Sequence, residues 1–168
     1  MSNPTTVFTT MPSPVGPLTL VGDGDELVGL FFDGDANAAP RPDWTRDDRR
    51  LRPAAIQLRE YFAGKRTRFE LRLAPRGTAF QKAVWAALLR IPFGETASYG
   101  DIARAIGKPA ASRAIGGANH RNPIAIVIPC HRVIGADGSL TGYGGGLDHK
   151  RLLLELESRV RSARPRAA

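Results

Sequence analysis

"SYGDIARAIGKPAASRAIGGAN", residues 98–119, holds two short apolar-periodic segments joined at Gly107-Lys108-Pro109, and its reading decides the fold of the C-terminal half. Ser98 and Asp101 stand three residues apart, the spacing of a capping box, ahead of Ile102, Ala103 and Ile106. Gly107 supplies the stop. Pro109 then opens a second helix that runs through Ala110 to Asn119. Two short helices around a tight turn form a helix-turn-helix. On the second helix, steps of about 100° put Ala111, Ile115 and Ala118 on one side and Ala110, Arg113 and Gly117 on the other. The first face is core. The second is small, carries one cation, and suits close approach of backbone to a groove wall better than reading of base edges.

Working outward, Thr78 and Gln81 form another capping box before Phe80, Val84, Trp85, Leu88 and Leu89, which make one apolar helical face ended by "IPFG". On the other side, residues 124–128, "IAIVI", are apolar and mostly β-branched. They read as a buried strand that delivers Pro129 and Cys130 to its end. Cys130 is the only cysteine, so no internal disulfide exists, and with three histidines the chain lacks the cysteine cluster of a structural zinc site. Cys130 is therefore a space-filler or a reactive thiol. A thiol titrating near 8.5 needs a neighbouring base to be reactive at neutral pH. His131 adjoins it, but reaches the sulfur only if the chain bends after Pro129. On the last helix, "DHKRLLLELESRV", Glu155 lies one turn from Arg151 and Arg159 and reads as their solvated partner. Glu157 has Leu153, Leu154 and Val160 as neighbours and turns inward. A buried carboxylate needs a partner, and the spacing nominates it to orient His131.

Charge and pattern both divide the chain near residue 77. Residues 1–80 hold 11 Lys/Arg against 10 Asp/Glu (+1), and residues 81–168 hold 13 against 6 (+7). A basic field of that size attracts polyanions, nucleic acid first among them. In the first half "TVFTTMPSP", "GPLTLVGD" and "ELVGLFF" read as strands, Asp33 to Arg50 as a loop, "AAIQLREYFAG" as a helix and "RFELRLA" as a further strand. The expected organisation is an α+β support over residues 1–76, a functional domain over 77–160 and a basic tail over 161–168. No stretch has the length to span a bilayer or the form of a signal peptide, which points to the cytoplasm.

"IPCHRVIGADGSLTGYGGG", with "FGETASYGDIA", "SRAIGGAN" and "RNPIAIVIPC" before it, resembles the O6-alkylguanine-DNA alkyltransferases of the bacterial type. The resemblance is dense over residues 77 to 157 and weaker at "SPVGPLTLV". It implies a ribonuclease-H-like N-terminal domain and a mainly helical, winged-helix-like C-terminal domain carrying the helix-turn-helix. It also implies single-turnover transfer of an alkyl group from guanine O6 in double-stranded DNA to Cys130, with O4-methylthymine as a second candidate substrate. By position, Cys130 is the nucleophile, His131 the base acting through a bound water, and Glu157 the carboxylate that polarises it. Asn122 tethers the turn, and Tyr99 contacts and protonates the extruded base. Arg113 fills the place of the flipped nucleotide, on a DNA face shared with Ser112, Ala110 and Gly117. Tyr143, Gly144, Val133 and Pro129 border the base. The scheme needs no metal or other cofactor and no obligate protein partner, and fits a monomer, with cooperative binding along DNA as an option. His120, in "ANHRNP", stands where the family commonly has glycine.

Two other classes fit part of the pattern. A helix-turn-helix regulator explains the basic half but leaves Cys130, His131 and Glu157 without a task. A Cys-His hydrolase explains those three but not the small-faced helix.

Overall fold

The computed structural model describes residues 6–143 and 146–164. The chain forms two compact units: residues up to Arg76 with Pro123–Val127, and Gly77–Asn122 with the chain from Ile128 onward.

In the first unit the three expected strands form: β1 (Thr6–Met11), β2 (Leu18–Asp23) and β3 (Glu26–Phe32) make an antiparallel meander. A two-residue β4 (Thr45–Arg46), inside the expected loop, pairs parallel to β1 and gives the order β3-β2-β1-β4. Helix α1 (Arg52–Phe62) starts with a proline in its first turn and turns Ala54, Ala55, Leu58 and Tyr61 inward. Leu18, Leu20, Leu30, Leu58 and Tyr61 are fully buried.

Two expected strands, one read from alternation and one from apolar composition, do not form. "RFELRLA" makes a single parallel bridge, Leu27 to Leu73. The backbone of Glu70 is satisfied by the Gln57 side chain, which accepts from its N–H at 2.8 Å and donates to its carbonyl at 3.2 Å, so no neighbouring strand is required. Residues 124–128 are buried but not extended. Ile124 bridges Leu30, and Val127 N–H then bonds the Ala125 carbonyl at 2.8 Å across Ile126, whose φ is 71°. That is a γ-turn. Apolar composition correctly signalled burial there, and β-branching misled about the backbone.

The second unit is mainly helical. Thr78 and Gln81 make the reciprocal capping box of α2 (Ala79–Leu88), which buries Val84, Trp85, Ala87 and Leu88. Leu89, expected on the apolar face, is 49% exposed because the helix ends there. Ser98 and Asp101 cap α3 (Tyr99–Ala105) in the same manner. Its end is a Schellman motif: Gly107 N–H bonds Arg104 O at 3.0 Å and Lys108 N–H bonds Ala103 O at 2.8 Å, with Gly107 at φ 73°. Lys108–Ala111 form a turn, so α4 (Ser112–His120) begins three residues after Pro109 and not at it. Trp85 Nε1 donates to Ala118 O at 2.9 Å and locks α2 to α4. After Ile128 come a 3-10 turn, Cys130–Arg132, and β6 (Val133–Ile134), which pairs parallel to β5 (Ala97–Ser98). Helix α5 runs Leu147–Ala163 and so takes up the start of the expected tail. Glu155 is exposed on it, and the ion pair of Arg151 is with Asp148, at 3.7 Å.

Gly107 and Gly117 both have open space where a Cβ would stand. Their backbones differ, so alanine should act oppositely. Gly107→Ala should cost about 1–2 kcal/mol through its left-handed φ, whereas Gly117→Ala, inside α4, should gain about 0.5–1 kcal/mol. Urea unfolding midpoints of the two variants test this, and shifts of the same sign would contradict it.

Candidate active site

The backbone around Cys130 is built by turns, where a strand end was expected. Pro129 has φ −81° and ψ 64°, and Cys130 N–H bonds Ile128 O at 2.8 Å across it. This inverse γ-turn suits the fixed φ of proline. The chain then coils into the 3-10 turn Cys130–Arg132, so it bends after Pro129 and does not continue as a strand. Cys130 is 4% exposed.

His131 is fully buried, and its Nε2 lies 2.7 Å from Glu157 Oε2. Glu157 also accepts from Arg132, Nε to Oε1 at 2.8 Å and Nη2 to Oε2 at 3.1 Å, and from the Gly94 N–H at 3.2 Å. Arg132 caps the Ile91 carbonyl with Nη1 at 2.6 Å, and its guanidinium lies 5.7 Å from the Phe93 ring centroid. Burial by itself would raise the Glu157 pKa. The hydrogen bonds and charges of His131 and Arg132 outweigh it and hold the carboxyl well below the usual range, so it is ionised at neutral pH. Burial pushes His131 below its ordinary value against the pull of Glu157, so the ring is neutral at pH 7. A neutral imidazole beside a carboxylate carries its proton on the facing nitrogen, here Nε2. Nδ1 is then the acceptor, and it is buried with no hydrogen-bond partner among the described residues. The arrangement is a prepared proton acceptor one residue from the thiol.

Burial pushes the Cys130 thiol up, while hydrogen bonds from Asn122 and Tyr143 and the charge of Lys150 act the other way. The Sγ lies 3.8 Å from Tyr143 Oη. Asn122 Nδ2 donates to Ile128 O at 2.8 Å. Tyr99 is half-buried at the start of α3, which the β5–β6 pairing sets beside Val133 and Ile134, and its hydroxyl shares a 2.5 Å hydrogen bond with Thr141 Oγ1. Pro129 and Val133 are buried, and Gly144 lies outside the described residues. On α4, Ile115, Ala118 and Asn119 are buried, and Ser112, Arg113, Gly117 and His120 are exposed, as is Ala110 before it. No group of three or more His, Cys, Asp or Glu is placed to hold a metal among the described residues. No described helix is long and apolar enough to cross a membrane.

Two family models cover the chain: the ribonuclease-like domain of 6-O-methylguanine DNA methyltransferase over residues 6–75, and its DNA binding domain over residues 79–159. The chain belongs to the 6-O-methylguanine DNA methyltransferase family. The methylated-DNA–protein-cysteine methyltransferase of Mycobacterium tuberculosis is 55% identical over 150 residues, covering 89% of this chain and 91% of the relative. That of Methanosarcina acetivorans is 54% identical over 146 residues, covering 86% and 94%. The crystal structure of Mycobacterium tuberculosis OGT in complex with DNA superposes with a TM-score of 0.87 at 54% identity, covering 92% of this chain and 94% of that one. The expected mixed class, with a sheet-bearing N-terminal part and a helical C-terminal part, is that of the methyltransferase family.

Three buried groups of this family member escaped the sequence reading: Arg132, Lys150 and Asn119. Lys150 is fully buried, and its Nζ donates to Val133 O at 2.5 Å and Thr141 O at 3.4 Å and lies 5.9 Å from the Tyr143 ring centroid. Burial depresses its pKa, while the nearby Cys130 thiolate would raise it. Helical spacing held the signal for two of them. Lys150 precedes Leu153 by three positions and Glu157 by seven, and Asn119 follows Ile115 by four. Arg132 gave no local sign, since its partners lie on other elements.

Glu157→Gln should leave the buried Arg132 without its counter-charge and cost about 3–5 kcal/mol at neutral pH. Because the folded-state carboxyl titrates below its ordinary value of 4.5, its stabilisation is present above that value and lost as pH falls beneath it. Unfolding curves between pH 7 and 3 should therefore converge for wild type and variant. Parallel curves would contradict the ionised Glu157.

Proposed function

We propose that this chain repairs alkylated duplex DNA by moving the alkyl group from guanine O6 to Cys130, once per molecule. The observation that carries the reading is the buried thiol beside a neutral His131 whose only open nitrogen is an acceptor, in the same unit as a helix with a small, cationic outer face.

An O6-alkylguanine is inaccessible inside the stack, so the nucleotide must leave the duplex, at roughly a few kcal/mol. Arg113, alone on the face formed with Ala110, Ser112 and Gly117, occupies the vacated place, and the +7 charge of residues 81–168 supplies attraction to phosphates. In the site, the Cys130 proton passes to His131 Nδ1 through a water, as the family resemblance implies, and Glu157 stabilises the imidazolium that forms. The sulfur attacks the alkyl carbon in line, the S–C bond forms and the C–O6 bond breaks. The electron pair goes to guanine, which takes a proton through the Tyr99 hydroxyl. Lys150 offsets the thiolate charge from behind Tyr143 while sulfur is ionised. The product is a thioether that water does not reverse, so Cys130 is consumed. Asn122 holds the turn, and Pro129, Val133, Tyr143 and Gly144 border the base. The protein acts as a monomer in the cytoplasm, and its chemistry uses only its own groups.

Intact mass after incubation with a duplex containing O6-methylguanine should rise by one methyl, located on Cys130 and absent in Cys130→Ser. An unchanged mass while the lesion persists would refute the transfer. Arg113→Ala should slow repair of duplex DNA at least tenfold, an order of magnitude set by the flipping cost, and leave reaction with a free benzylguanine base within twofold. Equal losses on both substrates would reject the intercalating role.

A further inference from the structure

Two asparagines, three residues apart at the end of α4, grip the backbone on either side of Cys130. Asn122 Nδ2 donates to the Ile128 carbonyl at 2.8 Å, and Asn119 Nδ2 donates to the Cys130 carbonyl at 3.3 Å. These two carbonyls also close the turns that flank the thiol. Ile128 O accepts from Cys130 N–H across Pro129, and Cys130 O accepts from Val133 N–H at the end of the 3-10 turn.

Asn119 is a poor choice for packing alone. It is 3% exposed, and its Oδ1 is buried without a hydrogen-bond partner among the described residues. Cys130 O also accepts from Val133 N–H, so an aliphatic residue of similar shape would remove the stranded Oδ1 without leaving that carbonyl unpaired, and would serve the fold as well. What the amide adds is the donor to Cys130 O. A single hydrogen bond to a turn fixes a distance and leaves the peptide free to rotate about it. A second bond two residues further on removes that rotation. The Cα–Cβ direction of Cys130 follows its peptide planes, and with it the line along which Sγ meets an alkyl carbon. In-line displacement tolerates little misalignment.

We infer that Asn119 is a positioning residue, the second jaw of a clamp by which α4 sets the orientation of the Cys130 thiol for transfer. The inference rests on the function proposed above. The helix that presents Arg113 outward thereby holds the nucleophile directly.

The test uses the full chain with Asn119→Leu and Asn119→Met. Thermal unfolding midpoint, affinity for an unmodified duplex, and the single-turnover rate constant at saturating O6-methylguanine duplex are measured for each. The clamp requires an unchanged or higher midpoint, affinity within twofold, and a rate constant about tenfold lower, the scale expected of a sub-ångström misplacement. A purely structural side chain would not separate affinity from rate in this way. A rate constant within twofold of wild type overturns the clamp. So does a rate loss that only matches an affinity loss, or failure of both variants to fold, which would make Asn119 a support of the fold. Should wild type itself leave the methyl on DNA, the proposed function falls. Wild type that reacts beside variants that keep pace removes the clamp alone.

Discussion

The second unit depends on one buried carboxylate. Glu157 is reached by His131, by two nitrogens of Arg132 and by the Gly94 N–H. Those contacts tie α5 to the turn carrying Cys130 and to the loop after α2. An ion pair in an apolar interior is seldom a net gain over well-packed hydrocarbon, because desolvating both charges offsets their attraction. Its effect here is on specificity. Burial keeps His131 neutral, with the Arg132 charge acting in the same sense, and the Glu157 contact fixes its tautomer and leaves Nδ1 as the acceptor. The same contact thus ties down α5 and fixes which nitrogen of His131 is the acceptor.

Around that contact the site divides its charges by task. Lys150 is buried, where two carbonyls and the Tyr143 ring receive its ammonium and burial lowers its pKa. Cys130 is the neighbour whose charge changes. Burial raises the Cys130 thiol and lowers Lys150, and the charge of each opposes the shift of the other. The outward face of α4 carries Arg113 among small residues, while Asn119 on its inner face reaches the turn of Cys130.

How far the sequence alone reached follows from the range of the interactions involved. Both capping boxes, Thr78 with Gln81 and Ser98 with Asp101, span three residues and were readable in full. The inward turn of Glu157 followed from one helix's periodicity. Tyr99 and Tyr143 carried no local signal, and only the family resemblance singled them out. Arg132 stayed hidden because its carbonyl partner, Ile91, is 41 residues away. The strand expected over residues 124–128 failed for a different reason. Composition reports burial, and burial was right, but γ-turns at Ile126 and Pro129 are backbone choices that apolar side chains do not announce.

The path of the chain between Asn122 and Ile128 bears on how the protein can be dissected. Pro123–Val127 groups with the first unit, where Leu30 bonds the Pro123 carbonyl and the Ala125 N–H. A single cut after Arg76 therefore does not separate the two units. It strands the four buried residues Ile124–Val127 on a fragment that lacks Leu30, and it takes from β3 the segment that bonds Leu30. Proteolysis or truncation at the apparent linker should yield two incomplete pieces, each exposing a seam, where a simple two-bead protein would give two folded halves.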